Sequence, residues 1–358
     1  MAVPRKKTEK LSKIDQELQK FLKKSKANIK IVGSGGAGNN TITRMMQVGV
    51  EGVEVIAMNT DAQDLLYSDA DKKLLIGKET TSGLGAGGDP RVGEEAAKES
   101  REDIKKLIQD SDMVFITCGL GGGTGTGSAP VIAETAKKSS VLTVAIVTLP
   151  FTMEGKIRMR NAREGLEKLR KVVDTIIIIP NDKLLEIVPD VSLATAFKVA
   201  DEILVNSVKG IAELITKPGL INLDLADVRS VMMNGGLAMI GMGESDTENR
   251  GIEAVEKALS NPLLSLDIEG ADGALINVTG GPDITIREAQ QVVEAVSGRL
   301  SEEAKIIWGA QVNKDLAETV RVLVVVTGVK GDEEIIQEKI LQPKKTFVEE
   351  ELGIEFVE

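Results

Sequence analysis

The sequence predicts an α/β fold: a doubly wound, mostly parallel sheet joined by a long central helix to a smaller α/β unit. Three observations lead there. Short, continuous apolar runs alternate with helical periodicity from Asn28 to about Lys209, as expected when helices cover both faces of a parallel sheet. Two glycine-rich segments, Gly33–Gly38 and Gly121–Gly127, follow apolar runs directly. Between about Ser192 and Thr216 one helical face, including Phe197, Ala200, Leu204, Ile211 and Leu214, stays apolar or small.

The elements follow in order. Strands are expected near Ile29–Val32, Val53–Met58, Lys73–Ile76, Met113–Thr117, Val141–Val147 and Thr175–Ile179. Gly33-x-Gly35-x-x-Gly38 sits after the first strand and before a helical pattern, the context in which such a turn cradles phosphate. Gly121-Gly-Gly-Thr-Gly-Thr-Gly127 follows the fourth strand and opens a second helix, so free backbone N–H groups and a positive helix end coincide. A third glycine stretch, Gly83–Gly88, precedes Asp89 and Pro90, a natural N-cap and first helical residue for one long helix to about Gln109. Beyond Pro218-Gly219 the pattern resets, with helices near Leu225–Met233, Glu248–Ser260 and Ile286–Leu300. Strands alternate with them near Leu237–Gly243, Ala274–Thr279, Ile306–Gln311 and Val320–Thr327.

Composition narrows the function. A net charge of −11 and only one Trp, one Tyr and six Phe argue against nucleic acid as a partner. With no His, neither a Ser-His-Asp triad nor a His metal site is available. The single cysteine, Cys118, excludes an intrachain disulfide and fits a reducing cytosol. No apolar run is long enough to span a bilayer. The Lys-rich start reads either as a mobile extension or as an amphipathic helix, and the end as an acidic tail.

Further motifs surround the glycine loops: Asn59-Thr-Asp-Ala-Gln63, Pro150-Phe-x-x-Glu-Gly155, Pro180-Asn-Asp182 and Asn222-x-Asp224-x-x-Asp227. With Gly121–Gly127 they make the chain resemble the FtsZ family, the prokaryotic relatives of tubulin, in its archaeal type, from Ile29 to Val329. The resemblance implies a polymerisation-dependent GTPase that binds GTP and GDP with Mg²⁺, the ion held mainly by phosphates and water and by no dedicated protein ligands. It implies head-to-tail homopolymers at the mid-cell division ring, in the cytoplasm. The implied division is a basic extension (1–28), a GTP-binding domain (29–191), the central helix (192–217), an activation domain (218–330) and the tail (331–358). Membrane-anchor or division proteins would be met through the tail, which lacks the Pro-containing peptide usual in bacterial members.

The resemblance assigns nucleotide contacts to Gly35, Gly36, Asn40, Asn59, Asp61, Gly122, Gly123, Thr124, Gly125, Thr126, Gly127, Asn181, Phe197 and Asp201. Ala86, Gly87 and Gly88 match the loop that senses the γ-phosphate. Glu154 and Arg158 match ribose and phosphate contacts, although at a spacing of four they also suit an ordinary helix ion pair. Phe197 and Asp201 share a helix face, where a ring stacks on guanine and a carboxylate accepts its two N–H donors; a core role for Phe197 stays open. Asn222, Asp224 and Asp227 match the loop that completes the next subunit's site, the two Asp residues orienting the attacking water; helix capping by Asp224 is the plainer reading. Two other functions compete: a filament protein that does not hydrolyse GTP, and an NAD(P)-dependent oxidoreductase. The latter expects an acidic residue at the end of the second strand, where Asn59 stands, and leaves Gly121–Gly127 unexplained.

Overall fold

The computed structural model describes residues 27–187, 192–217, 219–264, 268 and 271–329; the tail and nearly all of the basic extension lie outside them. The chain runs β1 (Ile29–Ser34), α1 (Gly35–Val48), β2 (Val53–Asn59), α2 (Ala62–Tyr67), β3 (Lys72–Leu75), α3 (Lys78–Thr81), α4 (Pro90–Glu99) and α5 (Arg101–Ile108). It continues with β4 (Met113–Gly119), α6 (Thr124–Lys138), β5 (Leu142–Leu149), α7 (Lys156–Arg170), β6 (Thr175–Pro180), α8 (Asn181–Ile187) and α9 (Leu193–Thr216). The last part is α10 (Leu225–Met232), β7 (Gly236–Ser245), α11 (Arg250–Leu259), β8 (Gly273–Gly280), α12 (Ile286–Ser297), β9 (Lys305–Val312) and β10 (Val320–Thr327).

The ten strands among the described residues form one sheet, in the order β3-β2-β1-β4-β5-β6-β7-β10-β8-β9. The pairings are parallel from β3 through β7, and again at β8–β9; β10 is antiparallel to both β7 and β8. The expected mostly parallel, doubly wound sheet is therefore present. The second set of strands does not form a separate sheet but continues the first. The seam is narrow: β6 meets β7 over Thr175↔Gly236, Ile176↔Leu237 and Ile177↔Ala238, whereas β4 and β5 align from Met113↔Leu142 to Gly119↔Thr148.

Strand alternation assigns the two core faces. Ile29 and Ile31 pack with Ile42 and Met45 of α1 and with Ala200, Leu204, Val208 and Ile211 of α9. Val32 and Ile116 face the other way, toward Ile132 of α6, Ile104 of α5 and Leu166 of α7. Helix α9 starts where the Ser192 hydroxyl accepts the Thr195 N–H at 3.2 Å and spans 24 residues, about 36 Å at 1.5 Å per residue.

One expected helix is two. The run after Asp89 breaks at Ser100, whose backbone leaves helical geometry (φ −92°, ψ 12°) while its hydroxyl accepts the Gly77 N–H at 2.9 Å. A tertiary bond to a loop decides that break, and no local signal announces it. Asp89 does cap α4, accepting from Arg91 N–H at 2.9 Å with Pro90 in the first turn.

Candidate functional site

A cavity of about 360 Å³ lies beyond the carboxyl ends of β1, β4, β5 and β6, where α1, α6, α8 and α9 converge. A sheet of this topology leaves its crevice there because the connections after adjacent strands depart to opposite faces.

Its floor is backbone. Helices α1 and α6 both begin at the cavity, and neither carries an acidic residue in its first turn. Two sets of unsatisfied N–H groups and two positive helix ends thus point at one space, the arrangement that holds anions. The two glycine loops need one another. Gly35 has φ +72°, and a Cβ placed on it would lie 2.7 Å from the Gly125 nitrogen; one on Gly125 would lie 2.9 Å from the Ser34 carbonyl oxygen. Backbone packs on backbone, which only glycine permits. Around this floor Ser34 and Ser128 share a hydroxyl hydrogen bond at 2.5 Å, and Thr60 and Thr124 another at 2.6 Å.

The other end suits a flat heterocycle. Phe197, 40% exposed, stands on the first part of α9, lines the cavity and meets buried Phe151 edge-to-face at 5.2 Å. Asn181, at the start of α8, lines the cavity with a buried Oδ1 that has no partner among the described residues. An acceptor held that way calls for a donor from a ligand or water. Asp201 lies one helical turn beyond Phe197, and Thr41 Oγ1 donates to its Oδ1 at 3.2 Å. Burial pushes the Asp201 carboxyl up to about 6, against the opposing pull of the Thr41 bond and the Arg44 charge.

The structure therefore brings Gly35, Gly36, Gly88, Gly122, Gly123, Thr124, Gly125, Glu154, Arg158, Asn181, Phe197 and Asp201 to one cavity wall. Glu154 and Arg158 also form the ion pair their spacing allows, while Glu154 Oε1 accepts the Phe151 N–H at 2.9 Å.

Other expected contacts stand apart. Asn59 is buried and used internally: its Oδ1 accepts from the Thr60 and Asp61 N–H groups, and its amide donates to Asp64. Asp61 caps α2 through the Gln63 and Asp64 N–H groups. Both order the turn after β2 rather than line the cavity. Gly127 donates its N–H to the Gly123 carbonyl at 3.1 Å, so that group is not free for phosphate. The Thr126 side chain turns back to accept the Gly121 N–H at 2.8 Å, and Ala86 packs beneath Gly123. Gly87 borders a neighbouring groove with Gly88, Thr126 and Gly127, and Asn40 borders another with Arg44, Lys198 and Asp201. Cys118 is fully buried, which pushes its thiol up to about 12 and leaves it unreactive.

Sequence reasoning missed Thr41; Pro150 stood in a motif, and Ser34 and Ala37 in the first glycine segment, without being assigned to the site. The last two sit inside or beside the first glycine motif and were readable as backbone; Thr41 carried no signal.

Asn222, Asp224 and Asp227 lie elsewhere. Asp224 Oδ1 accepts the Asp227 N–H at 2.8 Å and Asp227 Oδ2 accepts the Asp224 N–H at 3.1 Å, a reciprocal capping box at the start of α10. Helix α10 sits at the amino ends of the strands: Arg229 donates to the Asp112 carbonyl just before β4, and Thr175 at the start of β6 donates to the Met232 carbonyl. The last turn of α9 reaches the same end, where Thr216 donates to the Glu51 carbonyl ahead of β2. Cavity and loop thus occupy opposite ends of one sheet.

Comparison with known proteins agrees in both halves of the chain. The model of the Tubulin/FtsZ family GTPase domain matches residues 28–189, and that of the FtsZ family C-terminal domain matches 236–330. Cell division protein FtsZ 1 of Methanocaldococcus jannaschii is 64% identical over 321 residues, covering 90% of this chain and 88% of the relative. The Thermococcus kodakarensis FtsZ 1 is 58% identical over 340 residues, covering 95% and 90%. Among solved structures, an empty FtsZ dimer from M. jannaschii superposes with TM-score 0.86 at 64% identity, covering 89% of this chain and 93% of that one. A GTPγS-bound CetZ2 protofilament from Haloferax volcanii shares the fold alone, with TM-score 0.74 at 22% identity, covering 87% and 96%.

Proposed function

The chain belongs to the Tubulin/FtsZ family of GTPases, and from that premise we propose that it hydrolyses GTP only where two copies meet head to tail in a filament. Guanine-nucleotide binding, GTP hydrolysis and a part in cell division follow from membership. No helix among the described residues is long and apolar enough to cross a membrane.

The observation behind the proposal is the separation of cavity and loop. The cavity supplies backbone donors and base contacts but holds few side chains that orient a water; the Asn222–Asp227 loop supplies carboxylates at the far end of the molecule. A translated second copy would lay that loop over the cavity, a heterologous contact that does not close and therefore builds filaments. Exposed apolar side chains flank both ends. Leu66, Tyr67, Leu84, Met153 and Ile157 follow the carboxyl ends of the strands, and Leu220 and Met233 flank the loop.

In such a pair the capping box would act as a mount. Each carboxylate uses one oxygen for the box and keeps the other for the attacking water. The box fixes both rotamers before the water arrives, which is how positioning lowers a barrier in phosphoryl transfer. Gly35, Gly36, Gly123, Thr124 and Gly125 would hold the phosphates, with Gly88 at the γ end; Phe197, Asp201 and Asn181 would read the base. The donor set of main-chain N–H groups at two helix starts fits a nucleotide that brings its own Mg²⁺; phosphates and water would ligate the ion, and it would offset their charge.

The test is GTP hydrolysis with Mg²⁺ against protein concentration, with light scattering alongside. A threshold, then a steep rise with scattering, is expected. Specific activity independent of concentration would show that one copy suffices and remove the loop from catalysis.

A further inference from the structure

We propose that Thr41 is a positioning residue for base recognition: its hydroxyl holds Asp201 as an oriented anion, and so sets guanine over adenine. The inference rests on the guanine reading of the cavity and extends it to a side chain that touches no nucleotide.

Thr41 is fully buried on α1, behind the cavity wall, and Asp201 faces it from α9. The Thr41 hydroxyl has one proton and two acceptors in reach, Asp201 Oδ1 at 3.2 Å and the Ala37 carbonyl at 3.1 Å. While Asp201 is ionised, the proton is best spent on the carboxylate, since a hydrogen bond to a charged group is about twice as strong as a neutral one. Once Asp201 is protonated, the same hydroxyl can turn to Ala37 and accept from the carboxyl. The hydroxyl therefore favours the anion, and it fixes which way the carboxylate plane faces.

The remaining charge around Asp201 is nearly balanced. From α1 comes Arg44, but its guanidinium is held by Glu202 at 2.9 Å. From α9 come Lys198 and Glu202, both bordering the groove behind Asp201. Across the cavity Glu154 and Arg158 pair with each other, and α8 contributes only the neutral Asn181. Among the described residues no cation is dedicated to the Asp201 carboxylate, so burial outweighs the Arg44 charge and one hydroxyl matters.

The chemistry gives the selectivity. A carboxylate offers two acceptors, matching guanine N1–H and its 2-amino group. A neutral carboxyl offers a donor as well and can give its proton to adenine N1. Losing the Thr41 hydroxyl thus weakens guanine and admits adenine over the same pH range.

The experiment is equilibrium binding of GDP and ADP from pH 5.5 to 8.5 for wild type, Thr41→Val, Thr41→Ser and Asp201→Asn, each checked for native fold by circular dichroism and melting. GDP is used so that filaments do not form, and its own titration is common to all four proteins. For Thr41→Val we expect GDP affinity about threefold below wild type near pH 6.5 and about eightfold below near pH 5.5, converging within about twofold at pH 8.5, as a tenfold change in the proton affinity of a carboxyl near 6 requires. The GDP-over-ADP ratio should narrow over the same range, and Thr41→Ser should restore both. A Thr41→Val profile that superposes on wild type, or one displaced equally at every pH, would overturn the assignment. If Asp201→Asn keeps full GDP affinity, the guanine reading itself fails. If Asp201→Asn loses GDP while Thr41→Val does not, that reading stands and only the role of Thr41 falls.

Discussion

The two ends of the sheet are built from different material. At the carboxyl end the cavity floor is main chain, glycine against glycine, with Gly35 in left-handed geometry against Gly125. At the amino end the Asn222–Asp227 loop is exposed side chains on a helix start, held by a two-bond capping box. Where function is carried by main chain, changing a residue changes the fold. Where it is carried by side chains on a cap, chemistry and stability can be separated. That difference dictates how each end should be tested.

The largest effect is expected at the carboxyl end. Gly35→Ala imposes a Cβ at φ +72° and 2.7 Å from the Gly125 nitrogen, so stability should drop by roughly 2–5 kcal/mol and GDP binding should fail. Thermal melting with and without GDP reads both; a melting point within a degree or two of wild type would mean that the loops can part without cost. Gly127→Ala sharpens the point. Its Cβ would meet the Pro90 carbonyl at 2.1 Å, and Gly127 does not line the cavity, so stability should fall more than GDP affinity.

At the amino end the expected effects divide. Asp224→Ala should lower GTP turnover by about 10²–10⁴-fold while GDP affinity holds. It should also cost about 1 kcal/mol as a lost cap. Asp224→Asn retains an N-cap and should keep stability within a few tenths of a kcal/mol, yet lose turnover. Wild-type turnover in Asp224→Asn would reduce this residue to a cap.

A smaller, pH-dependent effect returns to the cavity. Asp201 lies above its ordinary value in the folded chain, so between about 6 and the unfolded value the native state holds more protons. Without nucleotide, this carboxyl therefore adds stability as pH falls through about 6, and GDP affinity should weaken over the same interval. Melting curves that shift together with and without GDP would contradict that coupling. The smallest effect is at the rim: Arg158→Ala breaks a half-exposed pair and should change stability by less than about 0.5 kcal/mol while lowering nucleotide affinity a few-fold.

Much of this was readable along the chain. Apolar runs marked the strands, and Asp89 and Asp224 stood where caps belong and do cap. The glycine loops were readable as phosphate turns because strand, glycine and helix follow within a few residues. A local motif can also have a local use. Asn59 and Asp61 read as ligand contacts along the chain, and a polar residue after a strand is equally suited to closing the turn, which both do.

The sequence by itself determined which segments are strands, which are helices and which residue types stand at their ends, because those preferences act over one or two turns of chain. Only the tertiary structure decided that β7 would extend the first sheet instead of starting another, and that α5 would begin where Ser100 meets Gly77. It alone put Thr41 beside Asp201, 160 residues apart, and set the capped loop at the opposite end of the sheet from the cavity. Contacts of that range depend on how whole faces pack, and no periodicity in the chain encodes the partner across the gap.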